Sequence, residues 1–247
     1  MRPTLYKTLA PEKLDALRSL STCTVANAIE TFDLRLRNTG FADASLRCFF
    51  KNLPPTVGYA TTARVRTSVP PMQGHSYYDR TDWWNSILAI PEPRVVVVED
   101  VERHPGLGSL VGAVHANILR ALGCVAFVTN GGVRGLTAVE AAGLQVFAGN
   151  VAVSHAYAHI FEFGTPVQAG GLRISPGDLL HGDQHGILQI PLKIAEQVPQ
   201  VAGKMLANER KIIEICRAPD FSLEKLRSTI LEIELGRDAA IPKRTEE

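Results

Sequence analysis

The segment GSLVGAVHANILRALGCVAFVTNGGVRG, residues 108–135, decides the fold of this chain. Apolar residues recur at helical spacing through GAVHANILRAL, and Gly123 then stands where helices commonly end with a left-handed residue. The apolar run CVAFVTN predicts a strand, and GGVRG predicts a turn away from its end. We therefore expect a loop, a helix, a buried strand and a turn that presents Arg134.

The residues around this segment predict further strands and helices in alternation. RVVVVED, residues 94–100, is a β-branched run without polar alternation, which is typical of a strand covered on both faces. TAVEAAGL predicts a short helix, and QVFAGN predicts a short strand. Because strands that alternate with helices pair in parallel, the centre of the chain predicts an α/β fold with a parallel sheet.

The two ends of the chain predict helices. PEKLDALRSL begins with a proline at a helix start, and Ser21 or Thr22 can cap a second helix. VGYATTARVRTSV predicts a strand, and PVQAGG, LRISPGD and GILQIP predict short strands joined by tight turns. We expect one domain over residues 1–247, with a core at about 20–191 and a C-terminal helical extension at 192–235.

Composition limits the partners that the protein can have. The 26 basic and 25 acidic residues nearly balance, so neither nucleic acid nor a membrane surface is an expected partner. The four cysteines lie far apart without a CxxC pair, which favours reduced thiols. MRPTLYKTLAPEK has no apolar signal core, and no apolar run reaches membrane-spanning length. We therefore expect a cytoplasmic protein.

One glycine-rich loop leads directly into a helix. GLGSLVGAVHANI offers backbone N–H groups and the positive end of a helix dipole to an anion. Its spacing differs from the dinucleotide fingerprint, and it lacks the GK[ST] ending of a phosphate-binding P-loop. The loop predicts a site for a small carboxylate or phosphate, and a purely structural turn is the alternative. Arg134 favours the anion site because its guanidinium suits bidentate carboxylate binding, although pairing with an internal aspartate is an alternative.

Histidines form a second group of candidate residues. SHAYAH places His155 and His159 four apart, which predicts that both lie on one face of a helix. LHGDQHG adds His181, Asp183 and His185 in a turn. Histidine and aspartate at these spacings suit a divalent metal ion, and a network of hydrogen-bonded polar residues is the alternative. Either arrangement predicts a polar pocket.

An aromatic cluster lies in SYYDRTDWW, residues 76–84. Such clusters more often belong to the core or to a subunit contact than to a ligand site. The polar residues beside the aromatic ones need partners if they are buried, so His75, Asp79 and Arg80 are further candidates to line a site.

GSLVGAVHANILRALGCVAFVTNGGVRG followed by PVQAGGLRISPGDLLHGDQHGILQIP resembles the RraA-like family. That family includes 4-hydroxy-4-methyl-2-oxoglutarate aldolases and the regulator of RNase E activity. The resemblance extends from about Leu20 to Arg227. It implies an α/β fold, a three-layer β/β/α swivelling-type domain with flanking N- and C-terminal helices. It also implies homotrimers or homohexamers with active sites between subunits.

The resemblance assigns roles to particular positions. In aldolase members the loop N–H groups bind the carboxylate of pyruvate, and the matching residues are Gly112, Ala113 and Val114. Arg134 matches the arginine that binds the same end of the substrate. The family places an aspartate after this arginine to hold a divalent ion, Mg²⁺ or Mn²⁺, and here that position is Gly135. The acidic residue that the family uses in proton transfer is replaced here by Ala113.

Other residues are candidates to replace these missing groups. Asp183 and His185 are candidate catalytic residues with Arg134, and they are also candidate metal ligands. Further candidate ligands are His181, His115, Glu99 and Asp100. Two functions are consistent with this pattern. One is a lyase that acts on a small 2-oxo acid, pyruvate-like or oxaloacetate-like, by aldol cleavage or decarboxylation. The other is a non-catalytic, oligomeric binding or regulatory protein of the same fold.

Overall fold

A computed structural model describes residues 6–71 and 81–238 of the chain. The candidate site residues His75, Asp79 and Arg80 lie outside the described residues. Trp83, from the same aromatic cluster, is buried in the core, as expected for such a cluster.

The chain forms two compact units, Met1–Pro199 and Gln200–Glu247. Its helices are α1 (Pro11–Arg18), α2 (Thr22–Glu30), α3 (Thr81–Leu88), α4 (Ala113–Ala121), α5 (Leu136–Ala141), α6 (Val198–Arg217) and α7 (Leu223–Asp238). Its strands are β1 (Arg47–Cys48), β2 (Thr56–Arg66), β3 (Arg94–Asp100), β4 (Cys124–Val133), β5 (Gln145–Val151), β6 (His159–Phe163), β7 (Val167–Ala169), β8 (Leu172–Ile174), β9 (Leu179–Asp183) and β10 (Gly186–Ile190).

An eight-stranded mixed sheet is the centre of the first unit. Its order is β1-β5-β4-β3-β2-β9-β10, and β6 also pairs with β2. Strands β2, β3, β4 and β5 are mutually parallel, which confirms the pairing expected from the alternating strands and helices. β3 lies between β2 and β4, and its valines at 95–98 are almost entirely buried. A separate hairpin consists of β7 and β8.

The two faces of β3 bury different partners, because successive side chains of a strand point to opposite faces. Val96 and Val98 belong to one apolar cluster that includes residues of helices α3, α4 and α5. Val95 and Val97 belong to a second cluster, which includes residues of the β7–β8 hairpin. Hairpin, sheet and helices are thus three layers, and the predicted β/β/α fold class is confirmed.

Strand β4 is longer than the sequence predicts. The expected turn at GGVRG does not begin at the first glycine, because β4 continues to Val133 with a register shift against β5. Gly131 and Gly132 are instead sites where neighbouring residues pack closely against the backbone. A Cβ added to Gly131 would lie 2.9 Å from Asp100 Cβ, and a Cβ added to Gly132 would lie 2.9 Å from Ala152 Cβ. The chain therefore turns only after Arg134.

The helix expected for SHAYAH is absent from the structure, so the prediction that His155 and His159 share a helical face was wrong. Ala156 has a left-handed backbone, with φ 48°, which does not continue a helix. His159 instead begins β6 and pairs with Arg66 of β2. Its Nδ1 atom lies 2.8 Å from the carbonyl oxygen of Tyr157. The pairing of β6 with β2, which are distant in sequence, determines the conformation of this segment, and local spacing does not predict that pairing.

The end of β9 ties the N-terminal helices to the sheet. Asp183 Oδ2 accepts a hydrogen bond from the backbone N–H of Thr22, the first residue of α2, at 2.9 Å. His181 is buried, with Nδ1 3.0 Å from Thr22 Oγ1 and Nε2 3.1 Å from the carbonyl oxygen of Leu17. Ser21 is the N-cap of α2, and its side chain accepts from Thr24 N–H. These contacts give α2 a charged cap.

Helices α6 and α7 make up most of the second unit, and they confirm the two helices expected after Leu192. Several of their apolar side chains, including Leu223, Leu231 and Leu235, are exposed. Across residues 6–71 and 81–238, no helix has both the length and the apolar character that crossing a membrane requires.

We predict that Asp183→Asn destabilises the first unit in a pH-dependent way. Burial alone would raise the pKa of Asp183, but hydrogen bonds from Thr22 and His185 outweigh it and hold that pKa below its ordinary value. The substitution should lower the free energy of unfolding by about 1–2 kcal/mol near pH 7. A carboxyl with a lowered folded-state pKa stabilises fully above its unfolded pKa, about 4, and loses this effect as the pH falls through its folded pKa.

Urea unfolding between pH 7 and pH 3 measures this effect. The difference between wild type and Asp183→Asn should be constant above about pH 5 and should shrink below about pH 4. Asp15→Asn is the control, because Asp15 pairs with Arg18 on the surface and contributes at most about 0.5 kcal/mol. A difference that persists unchanged at pH 3 would contradict the assigned role of the carboxylate.

Candidate anion-binding site

A buried carboxylate holds the loop that leads from β3 to α4. Asp100, the last residue of β3, accepts backbone N–H groups from Gly106 at 2.9 Å and from Glu102 at 3.1 Å. Asn130 of β4 joins it, accepting from Asp100 N–H and donating to Asp100 O. Burial raises the pKa of Asp100, and the hydrogen bonds from Gly106 and Glu102 oppose that rise. Asp100 therefore anchors the loop.

The second half of the loop packs against residues 154–156. Ser109 donates its backbone N–H to the carbonyl oxygen of Ser154 at 3.1 Å, and its hydroxyl donates to Val111 O at 2.8 Å. Gly108 has no room for a side chain, since an added Cβ would lie 2.5 Å from His155 O. These contacts position the loop where it enters α4.

Helix α4 begins directly after this loop. Gly112 is its N-cap and has no side chain with which to occupy the helix end. The first intrahelical hydrogen bond runs from Ala116 N–H to Gly112 O at 2.9 Å. The N–H groups of Ala113, Val114 and His115 precede it and have no acceptor within the helix. They form the positive end of the helix dipole, where an anion is stabilised.

Arg134 lies against this helix end. A Cβ added to Gly112 would be 3.4 Å from Arg134 Nε and 3.6 Å from Arg134 Cγ, so the guanidinium stem crosses the N-cap. One terminal nitrogen donates to Val153 O over a long 3.5 Å. The Nε atom is buried and, among the described residues, has no hydrogen-bond partner. A buried donor without an acceptor is unusual, and a bound anion would satisfy it.

Gly135 completes the cluster. Its backbone is left-handed, with φ 63° and ψ 38°, and it is the N-cap of α5. A Cβ at this position would lie 3.7 Å from Ala113 N and 4.0 Å from Gly112 Cα. The structure thus brings Gly112, Ala113, Arg134 and Gly135 together, and a carbon-sized group at position 135 fits beside the start of α4 without a clash.

The donors at this site do not fit the divalent ion that the family resemblance implies. Gly135 and Ala113 occupy the positions of the acidic residues, and neither has a side-chain oxygen. Within the described ranges, no three residues among His, Cys, Asp and Glu are close enough to hold a metal ion together. We therefore assign no chemical step to a metal at this site.

Asp183 and His185 lie at the other end of the sheet within one chain. Arg134 follows the carboxyl end of β4, which runs parallel to β2 through β3. The end of β9 instead pairs with the beginning of β2, where Gly182 is opposite Thr56. Asp183 Oδ1 is also engaged, since it accepts from His185 N–H at 2.8 Å and lies 3.0 Å from His185 Nδ1. The structure does not bring this pair to Arg134 within one chain.

The remaining candidate ligands have other roles. Glu99 pairs with Arg64 at 3.0 Å and accepts from Gln168 N–H of β7, so it faces the hairpin layer. His115 is buried on the core-facing side of α4, and burial lowers its pKa to about 4. His181 is buried between Thr22 and Leu17, as described above, and burial also lowers its pKa.

A surface pocket of about 380 Å³ includes none of these candidate site residues in its lining. It lies beside α1 and contains four charged side chains, Asp15, Arg18, Glu92 and Arg120. Asp15 pairs with Arg18, Glu92 pairs with Arg94, and Arg120 donates to Cys124 O. Because each of these groups has a partner within the protein, the pocket is a weaker candidate than the cluster at Arg134.

Sequence reasoning missed several exposed apolar residues on the segments that lead to the cluster. Val153 is 97% exposed, although its carbonyl oxygen accepts from Arg134. Leu107, Val114 and Tyr157 are also exposed, and we refer to them together with Val153 as the apolar rim. No local pattern distinguishes these residues from core residues. Their exposure depends on how the loops before α4 and after β5 meet.

Comparisons with known proteins place the chain in a family. The profile of the RraA-like family, described as Aldolase/RraA, matches residues 22–188. A protein of Halalkalibacterium halodurans with the provisional name 4-hydroxy-4-methyl-2-oxoglutarate aldolase is 31% identical over 123 residues. That match covers 48% of this chain and 59% of the relative, so the chain spans only part of the relative's length.

Two crystal structures share the fold. An uncharacterised protein from Pseudomonas syringae pv. tomato DC3000 is 23% identical, with a TM-score of 0.68 and coverage of 92% of this chain and 98% of the other. Streptomyces coelicolor RraAS2, described as an unusual member of the RNase ES inhibitor RraA protein family, is 19% identical. Its TM-score is 0.64, with coverage of 83% and 97%. From its sequence profile and its three-layer architecture, the chain belongs to the RraA-like family.

Proposed function

We propose that this protein is a lyase that binds the carboxylate of a small 2-oxo acid, pyruvate-like or oxaloacetate-like, at the start of α4. Gly112, Ala113 and Val114 would supply backbone N–H groups, and Arg134 would supply its guanidinium. The observation that carries the proposal is the buried Nε of Arg134, which lacks an acceptor among the described residues and lies beside the first turn of α4, whose N–H groups have no acceptor within the helix. The carboxylate of a ligand would satisfy both sets of donors.

The groups present favour decarboxylation over aldol cleavage. When an oxaloacetate-like acid loses CO₂, the bond to the leaving carboxylate breaks and its electron pair forms an enolate at the 2-oxo group. A proton from water then yields the pyruvate-like product. The guanidinium of Arg134 can stabilise the enolate oxygen as its charge develops. Aldol cleavage also requires a base to remove the hydroxyl proton, and neither Ala113 nor Gly135 can act as one.

A homo-oligomer, trimer or hexamer, is part of this proposal. The exposed residues of the apolar rim support it, because exposed apolar side chains that lie together commonly mark a protein contact, and Val153 of the rim contacts Arg134. Asp183 and His185 could act as catalytic residues only if a neighbouring subunit brought them to Arg134. The cytoplasmic location predicted from the sequence is retained, and all four cysteines are free thiols.

A non-catalytic binding or regulatory protein is the second candidate function. The observation that favours it is the absence of a side-chain acid or base at positions 113 and 135. Streptomyces coelicolor RraAS2, described as belonging to a family of RNase ES inhibitors, has the same fold. In this function the cluster at Arg134 would bind a carboxylate without converting it.

We predict that Arg134→Met removes both ligand binding and turnover. Loss of a charge-assisted donor at a developing enolate should reduce decarboxylation of oxaloacetate about 100-fold or more. Pyruvate release and calorimetric titration with pyruvate are the measurements. Arg173→Met is the matched control, because Arg173 is exposed on β8, and it should behave like wild type.

The wild-type protein distinguishes the two candidate functions. Turnover of oxaloacetate above the uncatalysed rate supports the lyase, and binding of pyruvate without turnover supports the regulatory protein. If wild type neither binds nor converts any acid in a panel of 2-oxo acids, with or without Mg²⁺, the proposed carboxylate site is wrong.

We also predict that Gly135→Asp combined with Ala113→Glu produces metal-dependent aldol cleavage of a 4-hydroxy-2-oxo acid. The two positions are adjacent in space, and the substitutions restore the acidic groups that the family resemblance implies. Aspartate tolerates the left-handed backbone at position 135 better than most residues, at a cost of about 1 kcal/mol. Pyruvate release with and without Mg²⁺ is the measurement.

Gly135→Asn with Ala113→Gln is the control for this pair, since it keeps the shape of the side chains but removes their charge. The control should not respond to Mg²⁺. If the acidic variant is folded and binds Mg²⁺ but releases no pyruvate, the pocket lacks more than these two side chains.

A further inference from the structure

We infer that this site binds its 2-oxo acid without a divalent cation, with the guanidinium of Arg134 in direct contact with both the carboxylate and the 2-oxo oxygen. The inference rests on the proposed function, and it specifies how the ligand is held. Three features of the structure support it: the available oxygen donors, the charge around Arg134 and the space at Gly135.

The acidic side chains at the end of β3 and in the loop before α4 already accept hydrogen bonds within the protein. Both oxygens of Asp100 accept backbone N–H groups, from Gly106 and Glu102. Glu102 Oε1 in turn accepts the N–H groups of Thr67 at 3.0 Å and Ser68 at 3.1 Å. Releasing either residue to bind an ion would break the hydrogen bonds that hold the loop at the start of α4. Positions 113 and 135 provide no side-chain oxygen in exchange.

Arg134 differs from other arginines of the fold in its partners. Arg64 pairs with Glu99 and Glu162, and Arg94 pairs with Glu92. Arg134 instead donates a hydrogen bond to the carbonyl oxygen of Val153. The Nε atom of Arg134 has no partner among the described residues.

The described groups nearest to Gly112 are positive. The guanidinium and the N-terminal end of α4 are both positive, and neither has a described carboxylate partner. A divalent cation placed there would be repelled by both groups, whereas an anionic ligand would be attracted by both.

The backbone at Gly135 leaves room for direct contact. The atom nearest to an added Cβ, outside the adjacent residues, is Ala113 N at 3.7 Å. The space beside this N–H group therefore accepts a carbon-sized group without a steric clash. A ligand carboxylate there can accept from Ala113 N–H and lie against the guanidinium, which presents several N–H donors in one plane. In a 2-oxo acid, the oxo oxygen is adjacent to the carboxylate and can accept from the same group.

Oxalate is a suitable probe, because its two planar carboxylates resemble the enolate of pyruvate. We would titrate the full chain with oxalate by calorimetry, once after treatment with EDTA and once with added Mg²⁺. The expected dissociation constants agree within about twofold. Arg134→Met should weaken binding at least about tenfold in both conditions, and Arg173→Met should not weaken it.

Gly135→Asp provides a gain-of-function control. The added carboxylate should repel oxalate in EDTA and weaken its binding about tenfold or more, and Mg²⁺ should restore the binding. Gly135→Asn, which has nearly the same shape without the charge, should bind oxalate equally with and without Mg²⁺. If the aspartate variant does not fold, the wild-type titrations alone decide the question.

The outcomes separate this inference from the proposed function. Equal binding in EDTA and in Mg²⁺ supports both. Binding of oxalate to wild type only in the presence of Mg²⁺ would overturn the metal-free site and leave the carboxylate-binding function standing. No binding of oxalate or pyruvate in either condition would overturn both.

Discussion

The candidate site depends on the hydrogen bonds between the carboxylate of Asp100 and the loop that follows β3. Asp100 is buried at the end of a central strand, and it holds Gly106 through a backbone N–H group. Asn130 ties the same residue to β4, the strand that ends beside Arg134. One polar network therefore links both halves of the site, the entry to α4 and the arginine. The free-energy cost of burying this carboxylate is offset by the hydrogen bonds that it accepts from the loop.

Much of the fold could be predicted because its central elements follow local rules. The apolar run of β3 and the helical spacing of α4 are both local patterns, and neither depends on distant partners. The errors arose where distant contacts decide the structure. Gly131 and Gly132 continue β4 because Asp100 and Ala152 pack against them. SHAYAH is irregular and then extended because β6 pairs with β2.

The same distinction applies to the site. Gly112, Ala113 and Arg134 come together because α4 and β4 are consecutive elements, and the end of the strand returns to the start of the helix. Asp183 and His185 are distant in sequence, and only the antiparallel pairing of β9 with the start of β2 determines where they lie. Residue type and spacing made them candidate ligands. Their hydrogen bonds to each other and to α2 could not be read from spacing.

The left-handed backbone of Gly135 has a consequence for how this site can change over time. Few residues adopt that conformation readily, and after glycine the best tolerated are asparagine and aspartate. Two of the four glycine codons differ from an aspartate codon by a single base, so a carboxylate can be gained or lost at such a position in one step. The strand before it and the helix after it need not move. The fold therefore allows the charge of the site to change by one unit while the shape of the site is preserved.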